Sequence, residues 1–295
     1  MADDAKVVTA TKRNKLPIRA SLKRWPWIPI IILVGLLIAI IFAPLLTPHS
    51  PEVINLPNRL MPPCWAEGGS STYLLGTDSL GRDLLTRIIY GARISILVAV
   101  VTIAISGGIG LLLGIMSGYM GGWVDAVISR AIDAFLGLPA LLLALVFAVT
   151  LGPSMTTIII ALTVVTWARF ARVVRSEALS IRTRDFILQA KVAGCSTPRI
   201  LLNHVTPNTF NTFMVLASFE LGAIVIIEAS LSFLGAGIPP PTPSWGQMVA
   251  EGKDYITSAW WIALFPGLAL GLTVFAFQLF GDWLRDRLDP KLRQI

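Results

Sequence analysis

Long stretches without a charged residue dominate the pattern of this chain. Four of them run from Trp25 to Pro51, Ile94 to Val124, Ala134 to Ala168 and Tyr255 to Gly281. A bilayer core of about 30 Å needs about 20 apolar residues per helix, so each run is long enough to cross it. The third run is too long for a single crossing, and the turn at 152–154 divides it into two helices.

One further apolar segment, from about Phe210 to Leu234, contains Glu220 and Glu228 and is also interpreted as transmembrane. The pattern therefore predicts an all-α integral membrane protein. Its six transmembrane helices are expected near 28–47, 94–118, 127–150, 155–174, 210–233 and 259–283. The expected division of the chain is a basic tail 1–27, a first span 28–47, an outer loop 48–93, a five-helix core 94–283 with an inner loop 175–209, and a tail 284–295.

Composition supports a membrane protein and excludes other classes. Hydrophobic residues make up 55% of the 295 positions and charged residues 14%, with a mean hydropathy of +0.73. The net charge of +7 would suit nucleic acid, but the apolar runs place the basic residues at a membrane face instead. Two cysteines exclude a disulfide framework, and the predicted topology puts Cys64 outside and Cys195 inside.

The distribution of Lys and Arg predicts the orientation. With the N-terminus inside, 19 of the 24 basic residues fall on the inner side of the predicted helices. Both termini are therefore expected in the cytoplasm. The basic tail with its apolar run could also be a cleavable signal, but no small-residue cleavage site follows the run, so an uncleaved first span is favoured.

No chemistry for catalysis or ATP binding is visible. The two histidines, His49 and His204, lie on opposite predicted faces, and neither a zinc-protease motif nor a phosphate-binding loop occurs. We therefore expect no catalytic residue, cofactor or metal on this chain. Uphill transport would need an ion gradient or a separate ATPase. Glu220 and Glu228 are the candidate pathway residues, and they would carry the coupling ion if the chain were a secondary carrier.

The inner loop 175–209 has the signals of two short helices. Asp185 is the predicted cap of a helix over Phe186 to Ala193, and Gly194 is the predicted left-handed stop. Thr197 is the predicted N-cap of a second helix, with Pro198 at its first helical position, and this helix is expected to stop near Pro207. A short amphipathic helix at this place could dock on another protein or lie on lipid, and the residues alone leave both open.

This loop resembles the signature of ABC importer membrane subunits, which reads E-A-A, three residues, Gly, nine residues, I-x-L-P. Ala190, Gly194 and Pro207 agree with it, whereas Leu188 replaces the Glu and Thr206 the Leu. The resemblance implies a coupling helix that docks in a groove of the ATPase, with Ala190 small enough for close approach. The residues assigned to this coupling loop are Asp185, Phe186, Leu188, Gln189, Ala190, Lys191, Gly194 and Pro207.

Three other segments resemble the C-type permeases of dipeptide, oligopeptide and nickel importers. They are Leu75 to Ile96, Ser232 to Met248 and Gly281 to Pro290. The resemblance implies a type I ABC importer permease fold in a bacterial cytoplasmic membrane. It also implies a B-type permease partner, two ATP-binding subunits or one fused ATPase that carry ATP and Mg²⁺, and an extracytoplasmic substrate-binding protein. The resemblance therefore implies half of the translocation pathway of an ATP-driven peptide importer, with nickel complexes, glutathione and other small solutes as the alternative cargoes.

The outer segments carry charges that are expected to pair with each other and order the loop. They are also plausible contacts for the binding protein, with candidates Asp78, Arg82, Asp83, Ser244 and Trp245. Arg169, Arg172 and Arg175 recur at the inner end of the fourth helix, where attraction to anionic lipid would explain them. Small residues at every fourth position from Ser106 to Gly122 predict close helix packing.

Overall fold

The computed structural model describes residues 26–288, and every regular element in this range is helical. The longer helices are α1 Trp27–Ile41, α2 Leu84–Met120, α3 Gly122–Leu136, α4 Ala140–Leu151, α5 Met155–Arg182, α6 Asp185–Val192, α7 Thr197–Phe233, α8 Trp245–Gly252 and α9 Trp261–Leu288. Most of the predicted basic tail 1–27 and the tail beyond residue 288 lie outside the described residues.

Among residues 26–288, four helices are long and apolar enough to cross a membrane: α2, α5, α7 and α9. The pair α3 and α4 adds a fifth if it forms one bent span. Helix α1 is apolar but has only 15 residues, and it packs against α9 and α2. The all-helical fold is confirmed, whereas the sixth crossing and the position of the termini stay predictions.

Helix α2 begins ten residues before the position predicted from the uncharged run. Asp83 caps it, because its side chain accepts a hydrogen bond from the backbone N–H of Thr86 at 3.1 Å. Its first turns contain Arg87 and Arg93, which the search for uncharged runs excluded. Arg87 pairs with carboxylates, and Arg93 Nε donates to the backbone oxygen of Ile40 at 2.6 Å. The first charged residue before the apolar run therefore did not mark the start of this helix.

The third span, predicted as one helix over 127–150, is two helices bent by 87°. Helix α3 ends at Leu136 and α4 begins after Pro139. Proline has no N–H to continue the ladder, and it disfavours helical geometry at the residue before it, here Leu138. The prediction was wrong because an uncharged run does not show a break in the backbone.

Helix α7 corrects the prediction of a second loop helix that stops near Pro207. The chain is helical without a gap from Thr197 to Phe233, and Ser196 rather than Thr197 precedes its first turn. A π-helical turn, Leu201–Val205, lies directly before Pro207. Its wider hydrogen-bond spacing carries the helix past a residue that has no N–H.

The predicted small-residue stripe is the contact between α2 and α5. A Cβ on Gly110 would lie 2.3 Å from Cβ of Phe170, and one on Gly118 would lie 2.6 Å from the backbone oxygen of Arg175. Gly114 meets the same helix. Gly122 does not belong to the contact, because α2 has already ended and a Cβ there would meet nothing within 4 Å.

Candidate functional site

Helix α6 is the element at which the coupling loop was predicted. Its first helical residue is Asp185 and the preceding cap is Arg184, without a side-chain hydrogen bond. The predicted cap at Asp185 was therefore wrong by one residue. The Asp185 carboxylate still lies in the first turn, where negative charge interacts favourably with the helix dipole.

The end of α6 is built as predicted. Gly194 has φ +77°, the left-handed conformation. Its N–H donates to the oxygen of Lys191 at 3.0 Å, and the N–H of Cys195 donates to the oxygen of Ala190 at 3.0 Å. This pair of bonds is a Schellman motif, which satisfies the last carbonyls of the helix and turns the chain sharply.

One face of α6 is fixed to the rest of the chain. Ile187 is fully buried and Ala190 is 9% exposed, in a cluster that includes Tyr119 of α2 and Val174 of α5. The Lys191 ammonium lies 5.1 Å from the centre of the Tyr119 ring. The small side chain of Ala190 therefore packs within this chain, and its expected close approach to an ATPase stays a prediction.

The opposite face of α6 is exposed and largely apolar. Leu188 is 48% exposed and Val192 is 90% exposed, with Phe186 and Gln189 also at the surface. Pro207, just after the π-helical turn of α7, is exposed as well. Helix α6 is thus held by the buried Ile187 and exposes Phe186, Leu188 and Val192, which we call the apolar ridge.

Three arginines on α5 each pair with a different carboxylate, and we call this set the arginine ladder. Arg169 lies 3.3 Å from Glu220 of α7, and Arg172 lies 2.9 Å from Asp133 of α3. Arg175 binds Asp125 of α3 through two nitrogens at 2.6 and 2.8 Å. These pairs connect α3, α5 and α7, so the arginines have partners within the chain and need no lipid to explain them.

The two candidate pathway carboxylates have separate surroundings. Glu220 pairs with Arg169, as described above. Glu228 is 1% exposed and accepts hydrogen bonds from the hydroxyls of Ser95 at 3.2 Å and Ser232 at 2.9 Å. Glu228 therefore lies inside this chain, in contact with α2, and in this conformation it does not share an open face with Glu220.

A second set of charges is buried at the other end of the molecule, and we call it the outer charge cluster. Its members are Asp78, Arg82, Arg87 and Glu251. Arg82 Nε lies 2.6 Å from Asp78, and Arg87 also bonds Asp78. Arg82 and Arg87 both reach Glu251 of α8, at 3.1 and 2.9 Å. Sequence reasoning missed Glu251, because its partners lie more than 160 positions away.

The residues predicted as outer contacts are all nearly buried. Asp78, Arg82 and Asp83 are at most 4% exposed, and Ser244 is fully buried. The indole N–H of Trp245 donates to the backbone oxygen of Ile88 at 2.9 Å. In this conformation these side chains join the outer segment to α2 and α8, as the expected charge pairing suggested, and their contact with a binding protein stays a prediction.

The described residues 26–288 contain no group of three His, Cys, Asp or Glu side chains that could hold a metal ion. His49 Nδ1 lies 3.5 Å from Asp83, and the His49 ring stacks on Tyr73 at 5.1 Å. These contacts tie the segment after α1 to the cap of α2.

Residues 110–294 match the family described as binding-protein-dependent transport system inner membrane component. The chain belongs to this family. It is 44% identical over 254 residues to the dipeptide transport system permease protein DppC of Escherichia coli K12, covering 86% of this chain and 85% of that one. It is 40% identical over 253 residues to the di/tripeptide transport system permease protein DppC of Pseudomonas aeruginosa, covering 86% and 84%.

Solved structures bear on the fold alone. A chain of the inward-facing MetNI methionine ABC transporter superposes with a TM-score of 0.54 at 19% identity, covering 70% of this chain and 96% of that one. The predicted type I ABC permease fold is therefore confirmed. With several apolar helices in an inner-membrane family, the chain is a multi-pass membrane component of a transport system.

Proposed function

We propose that this chain is one of two permease subunits of an ATP-driven importer of short peptides. The observation that carries the proposal is the similarity to peptide permeases along nearly the whole length. Besides the two DppC proteins, a putative peptide permease of Brucella suis is 38% identical over 266 residues, which is 90% of this chain. We assign this chain no catalytic step, since ATP and Mg²⁺ would bind to partner subunits.

The proposed topology has six crossings with both termini in the cytoplasm. The excess of Lys and Arg on one side of the helices supports it. The contact between Arg93 and the end of α1 is consistent with it, because it brings the end of α1 beside the first turns of α2, as two successive spans of opposite direction require. On this topology α6 and the arginine ladder lie toward the cytoplasm, and the outer charge cluster lies outside the cytoplasmic membrane of a bacterium.

We assign docking on the ATPase to the apolar ridge of α6. Docking needs a rigid element whose exposed face is apolar, and Ile187 and the Schellman turn at Gly194 supply the rigidity. Phe186, Leu188 and Val192 supply the contact. Lipid is the other surface that such a ridge could meet, and crosslinks from position 192 distinguish the two. Crosslinks that reach only phospholipid would overturn the docking role.

The remaining partners follow from the same assignment. A B-type permease would complete the pathway, and two ATP-binding subunits or one fused ATPase would press on the inner side. A substrate-binding protein would deliver cargo from outside. The family description, which names binding-protein dependence and the inner membrane, supports this set.

The test is uptake by the whole complex in membrane vesicles. The complex is purified through a tag on this chain, its partners are identified, and uptake of a labelled dipeptide is measured after ATP depletion and, separately, after an ionophore. Uptake that stops after ATP depletion but continues with the ionophore supports the proposal. Uptake that survives ATP depletion but stops with the ionophore would favour a secondary carrier using Glu220 and Glu228. Competition by nickel or glutathione but not by peptides would reassign the cargo.

A further inference from the structure

Two basic side chains from different helices converge on one aromatic ring. The Lys191 ammonium of α6 lies 5.1 Å from the centre of the Tyr119 ring, near the end of α2. Arg182, in the last turn of α5, interacts electrostatically with the same Tyr119 side chain. Its guanidinium also lies against the turn between α2 and α3, because a Cβ built on Gly121 would be 2.7 Å from Nη1 of Arg182. Positive charge from α5 and α6 is therefore concentrated at one corner of the molecule.

These two charges are not balanced within residues 26–288, where neither Arg182 nor Lys191 forms an ion pair with a carboxylate. Asp125, in the first turn of α3, is already bound by Arg175 at 2.6 and 2.8 Å. Helix α3 begins at Gly122 without a side-chain cap, so the positive end of its dipole adds to the charge beside Arg182. An anion at this corner would be attracted by both side chains.

An exposed apolar surface adjoins the same corner. Met120 is 49% exposed, and Trp123 and Val127, which share one face of α3, are 78% and 60% exposed. Basic residues beside an exposed apolar surface match an amphiphile with an anionic head. Because the chain belongs to an inner-membrane family, phospholipids are the amphiphiles that surround it.

We propose that Arg182 and Lys191 form a binding site for the phosphate group of an anionic phospholipid. A guanidinium donates N–H groups to phosphate oxygens in a fixed fork, and an ammonium adds a mobile point charge. Lys191 lies at the edge of α6 that contacts Tyr119, so the apolar ridge stays free for an ATPase. The site does not depend on the proposed transport function. Small phosphates in solution offer the same chemistry, and the experiment separates the two sources.

The test is native mass spectrometry of the delipidated complex of this chain with its partners, to which one lipid is added back. The variant carries Arg182→Gln and Lys191→Gln, and the matched control carries Arg184→Gln and Arg199→Gln, at two exposed arginines of the same loop. We expect the variant to need at least about tenfold more phosphatidylglycerol for half occupancy, because each basic residue near an anionic lipid contributes to binding. The control should stay close to the unmodified complex.

The comparison of ligands identifies the group that is recognised. Phosphatidylcholine, whose headgroup has no net charge, should bind equally to variant, control and unmodified complex. Equal phosphatidylglycerol occupancy in the variant and the control would overturn the site. Inorganic phosphate is then added to the unmodified complex. Phosphatidylglycerol that stays bound supports the lipid headgroup, whereas its displacement would overturn the assignment to lipid in favour of a small phosphate.

A second measurement uses the unmodified chain and decides the question if the double variant does not assemble. The complex is reconstituted in phosphatidylglycerol or phosphatidylcholine and treated with phenylglyoxal, and arginine modification is read by peptide mass spectrometry. Relative to Arg184, we expect Arg182 to react at least fivefold more slowly in phosphatidylglycerol. Equal relative rates in the two lipids would overturn the proposal. Protection of Arg182 in both lipids that requires the ATPase would also overturn it, and would assign the charge to an acidic surface of that partner.

Discussion

The outer charge cluster and the arginine ladder use the same chemical groups in different surroundings. In the outer cluster Asp78 and both arginines are nearly buried, and each arginine reaches two carboxylates. In the ladder each arginine has one carboxylate, and the pairs are open to different degrees. A buried charge that loses its partner cannot be solvated, whereas an exposed one can be. The outer charge cluster is therefore expensive to separate, and so is Arg169–Glu220 at the buried carboxylate, whereas the exposed pair Arg172–Asp133 can separate at low cost.

The largest expected effect comes from breaking the outer charge cluster. Arg87→Ala leaves the buried Asp78 carboxylate without one of its partners, and losing one partner of a buried ion pair costs about 3–5 kcal/mol. We expect a lower midpoint of thermal unfolding for the detergent-solubilised chain. Glu52→Ala, at an exposed acid of the same outer segment, is the matched control and should change little. Equal shifts in both variants would mean that burial of the charge cluster does not raise the cost of losing a partner.

The next largest effect is expected at the contact between α2 and α5. This contact joins the two regions, because α2 carries Arg87 of the outer charge cluster and α5 carries the arginine ladder. Gly110→Val would place its Cβ against the Phe170 side chain, and overpacking of this kind costs about 1–3 kcal/mol or more. Gly108→Val lies on the same helix, where a Cβ meets nothing within 4 Å. The folded fraction after heating should fall for Gly110→Val and stay near the unmodified value for Gly108→Val. A similar loss of folded protein in both variants would show that the lower helix propensity of valine, and not the contact with Phe170, determines the effect.

At the turn after α6 we expect a smaller loss of stability but a larger loss of transport coupling. Gly194→Val forces a β-branched residue into the left-handed region, at a cost of about 1–2 kcal/mol, although there is open space around it. The turn after α6 should relax, and less peptide should be imported per ATP hydrolysed. Gly194→Asn, which tolerates this conformation better, should keep more of the coupling. Normal coupling in Gly194→Val would contradict the role assigned to α6.

The smallest effect is expected within the ladder itself. A double-mutant cycle on Asp125 and Arg175, both about a quarter exposed, should give a coupling of roughly 0.5–1 kcal/mol. Raising the salt concentration should reduce this coupling, because ions screen exposed pairs. The cycle is measured from thermal midpoints at low and high salt. A coupling as large as that of the buried outer pair would mean that exposure does not separate the two regions.

Much of this architecture could be predicted because hydrophobic runs report burial in lipid directly. Helix α9, the body of α5 and the left-handed stop at Gly194 follow from local sequence alone. The start of α2 and the break at Pro139 could not be found from uncharged runs. The first depends on ion pairs that make Arg87 tolerable inside the protein, and the second on a backbone effect that hydropathy does not register.

The candidate sites divide in the same way. The exposed ridge of α6 lay at the predicted positions, since a short helix between two signals is a local feature. Other features depend on residues that are distant in the sequence. They are the burial of Ala190, the pairing of Glu220 with Arg169, and the place of Glu251 in the outer charge cluster. Local signals therefore identified the elements, and only the tertiary structure showed which sides of them are free.

Helix α7 joins the two ends of the molecule without interruption. It begins three residues after Gly194 and runs 37 residues to Phe233, a length of about 55 Å at 1.5 Å per residue. Its last turn holds Ser232, which bonds Glu228 and adjoins the segment leading to Trp245. The chain thus connects α6 to the segment before Trp245 through one run of helix, whose hydrogen-bond pattern changes only at the π-helical turn Leu201–Val205, so a force applied beside α6 has a direct helical route to the opposite end.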